Sequence, residues 1–109
     1  MATDVGQLFE ALADPTRRQV VQLLREGPLR AGEIADSAGM SGPAMSRHLR
    51  VLLQAGIVAD ERVPEDARVR VFRLRPDSIV AIRAWLDQLQ AQWDDQLGSF
   101  KRHVERGTK

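Results

Sequence analysis

Apolar residues recur at intervals of three and four along most of this chain, which is the spacing of amphipathic helices. The pattern predicts a first helix up to about Leu12, a second from Pro15 to a stop at Gly27, and a short third that ends at Gly39. A fourth helix spans 42–55, because a glycine follows its last apolar turn. Side chains suited to N-caps precede three of these helices, at Asp4, Asp14 and Ser41.

After the fourth helix, apolar and polar residues alternate in the manner of strands. The pattern predicts two strands, 57–63 and 67–75, joined by a turn that contains Pro64. A last helix follows over about 77–106. The element order predicts a single domain over residues 1–109, a mainly α winged helix-turn-helix with a small β-hairpin as the wing and an extra helix at each end.

The fourth helix has two contrasting faces when it is drawn at 100° per residue. Apolar side chains form one face: Met45, Leu49, Leu52 and Leu53. Small, polar or basic residues form the opposite face: Pro43, Ser46, Arg47, Arg50 and Gln54, with Ala44, His48 and Val51 at the margins. A helix that enters the DNA major groove needs a slim leading end with hydrogen-bond donors, and this face provides both. A helix start that is exposed to solvent and has no binding role is the alternative interpretation.

The net charge of +1 gives no indication of a polyanionic partner, but the charge is unevenly distributed. Residues 1–40 hold four Arg against six acidic residues, a net charge of −2. Residues 41–75 hold seven Arg against four acidic residues, a net charge of +3. The basic excess falls on the fourth helix and the hairpin, which are the elements that a winged helix presents to DNA. This clustering predicts contact with phosphates.

Two segments resemble one family of bacterial regulators. Residues 41–58, SGPAMSRHLRVLLQAGIV, match the recognition-helix pattern Ser-x-x-x-x-Ser-x-His-Leu-x-x-Leu-x-x-Ala-Gly-[Leu/Ile]-Val of the ArsR-type winged-helix repressors. Residues 9–24 resemble the opening signature of that family, and the similarity extends to about Val104. The resemblance implies a homodimeric DNA-binding transcriptional regulator, usually a repressor, that a signal releases from its operator.

The sequence departs from the metal-sensing members of that family. Their third helix contains a cysteine motif, but the equivalent stretch here has Ala35 and Ser37, and the chain has no Cys. Another metal site in the family uses Asp-x-His and a later pair of His on the last helix; the corresponding residues here are Asp77, Ile79, Gln90 and Trp93. The chain is therefore expected to bind neither a metal nor a cofactor and to resemble the non-metal-sensing members.

The expected DNA contacts lie on helix 42–55 and on the wing, 57–75. At the major groove, side chains of the fourth helix are expected to cap the helix, to contact bases and thymine methyl groups, or to bind phosphates. These residues are Ser41, Gly42, Pro43, Ala44, Ser46, Arg47, His48 and Arg50. Three arginines near the wing tip are expected at the minor groove: Arg62, Arg68 and Arg70. For His48, a hydrogen bond at the margin between helices is the alternative.

The last helix carries an apolar stripe with nearly the spacing of a coiled coil: Ile82, Leu86, Leu89, Trp93, Leu97, Phe100 and Val104. Its length of about 45 Å exceeds what a domain with a radius of gyration near 13 Å can cover. Either a partner covers the stripe or the helix breaks near Gly98. We expect a homodimer through segments 1–13 and 77–106, with the first segment contributing Val5, Leu8, Phe9 and Leu12. A ligand pocket lined by the aromatic residues Trp85, Trp93 and Phe100 is the alternative.

Other functional classes find little support in the sequence. An enzyme is not expected, because the chain has no Cys, no Tyr and no Gly-rich phosphate loop, and its two His lie far apart. No apolar run approaches the roughly 20 residues of a membrane span, and the acidic N-terminal segment is unlike a signal peptide, so a cytoplasmic protein is expected. Two alternatives stay open: a winged-helix module for protein–protein contact, and a metal-responsive repressor with a non-standard site. The inducing signal is also open and includes an unidentified small-molecule effector.

Overall fold

The computed structural model describes residues 4–107, so residues 1–3 of the predicted segment 1–13 lie outside the described residues. Its elements are α1 Val5–Leu12, α2 Pro15–Leu24, β1 Leu29–Arg30, α3 Ala31–Ser37, α4 Gly42–Gln54, β2 Val58–Val63, β3 Asp66–Leu74 and α5 Pro76–Gly107. This order confirms the predicted winged helix-turn-helix with one additional helix on each side.

Local side-chain chemistry sets the ends of the helices. The carboxylates of Asp4 and Asp14 accept hydrogen bonds from backbone amides of the first turn, with N···O distances of 2.9 and 2.7 Å. The Ser41 hydroxyl accepts an amide at the start of α4 at 3.3 Å, so all three predicted N-caps are confirmed. Gly39 and Gly56 have φ values of +63° and +79°, the left-handed conformation that ends α3 and α4.

The wing is a three-stranded antiparallel sheet with the strand order β1–β3–β2. The prediction of two strands was wrong in number, because Leu29 and Arg30 form β1 and pair with Phe72 and Val71 of β3. A two-residue strand is too short to show alternation, so no pattern in the sequence could reveal it. The turn between β2 and β3 lies at residues 64–65.

The core lies where the inner faces of α1 to α4 meet the wing. Its buried side chains are Leu8, Ala11, Val20, Leu24, Ile34, Ala35, Met45, Leu49, Leu52, Ala55, Ile57, Val58 and Phe72. The predicted apolar face of α4 is confirmed, since Met45, Leu49 and Leu52 are at most 3% exposed and Leu53 is half-buried. Helix α5 joins this core only at its base, where Ala81 and Ile82 pack against it.

Helix α5 is one unbroken helix of 32 residues, about 48 Å long, and it continues through Gly98. From Arg83 to Gly107 every residue except Gly98 is exposed. The projecting rod gives a radius of gyration of 19.9 Å, against about 13 Å for a compact domain of this size. Its base is braced by α1, because the rings of Phe9 and Trp85 meet edge to face at 5.2 Å. Within residues 4–107, no helix combines the length and the hydropathy that a membrane span requires.

Candidate nucleic-acid interface

The solvent face of α4 presents a serine and two arginines. Ser46, Arg47 and Arg50 are exposed, as the helical wheel predicts, and the marginal residues Ala44 and His48 are half-buried. Within residues 4–107, the side chains of Arg47 and Arg50 form neither a hydrogen bond nor an ion pair with another residue. Because the opposite face of α4 is buried in the core, these cations are held on a rigid element and point to solvent.

The leading end of α4 is slim. Ser41, Gly42 and Pro43 are all exposed, and proline costs nothing in the first turn, where amides have no intrahelical partner. A side chain built on Gly42 would meet no described atom within 4 Å. The free amides and the helix dipole at this end favour an anion.

A polar link joins the back of α4 to α2. Nη1 of Arg17 lies 3.3 Å from Nδ1 of His48. Guanidinium nitrogen only donates hydrogen bonds, so Nδ1 accepts and the single proton of the neutral ring lies on Nε2. The alternative for His48, a hydrogen bond at the margin between helices, is therefore what the structure contains, with the Nε2–H as the ring's remaining donor.

Arg17 also holds the end of α1. Its Nε donates to the carbonyl of Ala11 at 2.6 Å, and its Nη2 reaches the carbonyl of Glu10 at 3.4 Å. Its neighbour Arg18 donates to the next two carbonyls of the chain, at 2.8 and 3.0 Å. The sequence patterns did not indicate these roles. Basic side chains that satisfy the last carbonyls of a helix are a known capping device, but here they come from the following helix.

Asp14 lies at the same junction of α1 and α2. Partial burial raises the pKa of Asp14, but its hydrogen bonds from the amides of Arg17 and Thr16 outweigh this effect. The positive charge of Arg17 acts in the same direction as the amides. The net result is a pKa below the ordinary value for a carboxyl group.

One of the three wing arginines predicted to contact DNA is engaged within the sheet. Arg70 donates two hydrogen bonds to one carboxylate oxygen of Asp60, at 2.6 and 2.9 Å, which joins β3 to β2. The Arg70 guanidinium also lies over the ring of Phe72, 5.0 Å from its centroid. This side chain therefore braces the wing across two strands.

The other two predicted wing arginines remain in solvent. Arg62 donates to the carbonyl of Ala67 at 2.7 Å, and Arg68 pairs with Asp66 at 3.2 Å while its side chain stays 91% exposed. The Arg68 backbone amide and guanidinium hold the pKa of Asp66 below its ordinary value. An exposed ion pair of this kind contributes little to stability, so it costs little to exchange it for a phosphate.

The predicted dimer residues divide between the core and the surface. Leu8 is fully buried within its own protomer, which corrects its assignment, because it has no surface left for a partner. Val5, Leu12 and Ile82 are half-buried. Large exposed apolar side chains remain at Phe9, Leu86, Leu89, Trp93, Leu97 and Phe100.

The aromatic residues considered for a ligand pocket have different surroundings. Trp85 packs on Phe9, whereas Trp93 lines an open hollow on α5 together with Leu86, Leu89 and Gln90. Across residues 4–107, no three side chains among His, Asp and Glu gather in a way that could hold a metal ion.

Comparison with known proteins gives the family. Residues 14–60 match the model of the bacterial regulatory protein, arsR family. The HTH-type transcriptional regulator Rv2034 of Mycobacterium tuberculosis is 45% identical over 97 residues, which cover 89% of this chain and 85% of that protein. The chain belongs to the ArsR family. A further relative is the transcriptional repressor SdpR of Bacillus subtilis, 41% identical over 58 residues that cover 53% of this chain and 64% of that protein.

Solved structures of similar regulators share the fold. An ArsR-like transcriptional regulator from Rhodococcus sp. RHA1 has a TM-score of 0.79 at 26% identity and covers 90% of both chains. The homodimeric winged helix-turn-helix DNA-binding domain Mb0332 from Mycobacterium bovis, solved by solution NMR, has a TM-score of 0.61 at 25% identity, over 85% of this chain and 81% of that one. The family resemblance of the sequence is thereby confirmed.

Proposed function

We propose that this ArsR-family chain is a sequence-specific DNA-binding repressor that acts as a homodimer on an inverted-repeat operator. Helix α4 reads base edges, and the wing contacts the phosphate backbone. The protein acts in the cytoplasm, by binding rather than by catalysis. Its departure from the family's metal motifs, and the lack of any Cys, favour a signal other than a metal, such as a small organic effector.

One observation carries this proposal: the only arginines in segment 41–75 without a described partner are Arg47 and Arg50, both on the solvent face of α4. The other five each have a protein acceptor, and they are Arg62, Arg68, Arg70, Arg73 and Arg75. Cations on a rigid, exposed helix with no acceptor of their own are suited to an external polyanion.

The geometry supports separate roles along α4. Arg47 and Ser46 are assigned to base edges, where a two-pronged arginine–guanine contact is worth about 1–3 kcal/mol of discrimination. Arg50 and the Nε2–H of His48 are assigned to phosphates. Arg68, together with Arg62, takes the phosphates beside the minor groove.

Arg70 takes a different role from the one its position in the sequence suggests. Its ion pair with Asp60 and its contact with the Phe72 ring hold the wing in shape, so we assign it to support rather than to DNA contact. The wing then carries two DNA-contacting arginines instead of three.

A homodimer is supported by the exposed apolar side chains around the base of α5, among them Phe9, Leu86 and Leu89. A dimer that pairs through α1 and this part of α5 must hold its two α4 helices about 34–36 Å apart to read adjacent major grooves, because this is one turn of B-DNA. The repressor role is supported by the name of the B. subtilis relative, and the dimer by the homodimeric M. bovis domain.

Selection of duplexes from a random library tests the proposal. We expect an inverted repeat whose half-site centres are about 10–10.5 base pairs apart. Arg47→Ala and Arg50→Ala should weaken binding at least tenfold. Arg83→Ala, which removes an exposed arginine from α5, is the matched control and should bind as the wild type does. Enrichment of no duplex, or equal losses in all three variants, would refute the proposed function.

A further inference from the structure

The far part of α5 carries an apolar surface away from the protein body. Trp93, Leu97 and Phe100 are 56%, 48% and 66% exposed, beyond the point where Trp85 packs on α1. A free helical segment of about 15 residues is only marginally stable in water. This segment, residues 93–104, is here called the distal seam, and its exposed stripe is suited to a partner helix.

The spacing of the distal seam is symmetric. Trp93, Leu97, Phe100 and Val104 are separated by four, three and four residues, so the order is the same in both directions about a midpoint between residues 98 and 99. Two copies that run antiparallel about this midpoint would pair Trp93 with Val104, and Leu97 with Phe100, of the opposite copy. Four apolar layers would then interdigitate in the manner of a short coiled coil.

The charges beside the distal seam match the same antiparallel arrangement. Asp94 and Lys101 occupy equivalent positions flanking the apolar stripe, and antiparallel pairing about the midpoint sets Asp94 beside Lys101 of the second copy, twice by symmetry. Asp94 uses one oxygen to accept a hydrogen bond from Gln90 at 2.9 Å, and a second oxygen remains. Within the described chain, Lys101 forms no ion pair. In a parallel pair, Lys101 would face the neutral Gln96 and Asp94 would face Leu89.

We propose that the distal seam is a second interface, through which two copies of this chain from different dimers pair antiparallel and form a tetramer. This inference rests on the proposed function, because it requires a separate dimer that reads DNA. It moves Trp93, Leu97 and Phe100 from the dimer interface to this second contact.

Distance separates the two interfaces. The midpoint lies 13.5 residues beyond Trp85, about 20 Å along the helix, so antiparallel pairing holds the two Trp85 side chains about 40 Å apart. Phe9 and Trp85, at the base of α5, therefore lie far from this second contact. Each body can therefore still pair with another copy through α1 and the base of α5, so that the proposed tetramer contains two DNA-reading dimers.

Charge reversal on the full chain tests the proposal by sedimentation over a range of protein concentrations. We expect a dimer–tetramer equilibrium for the wild type. Asp94→Lys and Lys101→Asp should each weaken tetramer formation at least tenfold and leave the dimer, and the double variant should return to within about threefold of the wild type. Asp95→Lys is the matched control, because this neighbouring residue faces away from the seam in the proposed register, and it should have no effect.

Four results would overturn the inference: a wild type that stays dimeric at all concentrations, a tetramer insensitive to Asp94→Lys, a double variant that is not rescued, or an Asp94→Lys chain that becomes monomeric. The proposed function is read separately, from binding of the same variants to a single selected operator. Asp94→Lys should bind this operator as the wild type does. If neither the wild type nor any variant binds a duplex, that result counts against the proposed function and not against the tetramer.

Discussion

Arg17 is the residue whose loss should disturb the junction of α1, α2 and α4 most. Leucine at this position keeps much of the apolar stem but removes three donor contacts, to the carbonyls of Ala11 and Glu10 and to Nδ1 of His48. The three contacts differ in their access to water, and this difference sets the size of the effect.

Ala11 is 1% exposed, so water cannot easily replace the 2.6 Å hydrogen bond to its carbonyl. A buried acceptor left unsatisfied costs about 1–3 kcal/mol. The contact to Glu10 is long and exposed, and His48 is half-buried, so water replaces much of both and they add about 1 kcal/mol together. We expect Arg17→Leu to lower the free energy of unfolding by about 2–4 kcal/mol.

Urea unfolding followed by circular dichroism, at one fixed protomer concentration, measures this loss. Arg18→Leu is the matched control: it also removes hydrogen bonds to carbonyls of the α1 end, but its side chain is exposed, so the expected loss is below about 1 kcal/mol. If the two variants lose equal stability, burial of the Ala11 carbonyl is not what makes Arg17 important, and the reasoning fails.

Four further predictions each concern a single residue. Asp14→Asn keeps an N-cap acceptor but removes a carboxylate whose pKa is lowered on folding. The wild type should therefore be more stable than the variant above the unfolded-state pKa near 3.8, and this advantage should disappear as the pH falls through the folded-state pKa. Urea midpoints of both proteins at about pH 6 and about pH 3 measure the difference. Arg70→Ala should lower the free energy of unfolding by about 1 kcal/mol. Arg68→Ala should leave stability unchanged, but for every duplex the slope of log K against log salt concentration should become shallower by about 0.9. Binding titrations at several salt concentrations measure this slope. Gly42→Arg should fold normally, because nothing described lies within 4 Å of the added carbon, and it should alter the half-site recovered by selection.

Features that depend on neighbouring residues were predictable from the sequence. The caps at Asp14 and Ser41 and the glycine that ends α4 are decided within one helical turn. The faces of α4 were predictable for the same reason, since a regular helix converts spacing directly into direction. The spacing therefore predicts the exposed positions of Arg47 and Arg50 that the structure has.

Features that join distant segments were not predictable. Arg17 and His48 are 31 residues apart, and nothing in either local sequence indicates that they meet. The ion pair of Arg70 with Asp60 depends on the register of the hairpin, which the alternation pattern alone does not give. Leu8 has the spacing of an interface residue, and only the packing of α1 on the core reveals that it is buried.

The central claim is that Arg47 reads a base edge from the front of α4, and a double-mutant cycle across the interface tests it most directly. Replacing guanine with 7-deazaguanine at the selected half-site removes the N7 acceptor that an arginine would use. We predict that this base change weakens binding of the wild type at least fivefold. It should not weaken the binding of Arg47→Ala further, so the free-energy losses from the base change and from the substitution are not additive. If the losses add, Arg47 and that base act independently, and α4 does not read DNA in the way proposed.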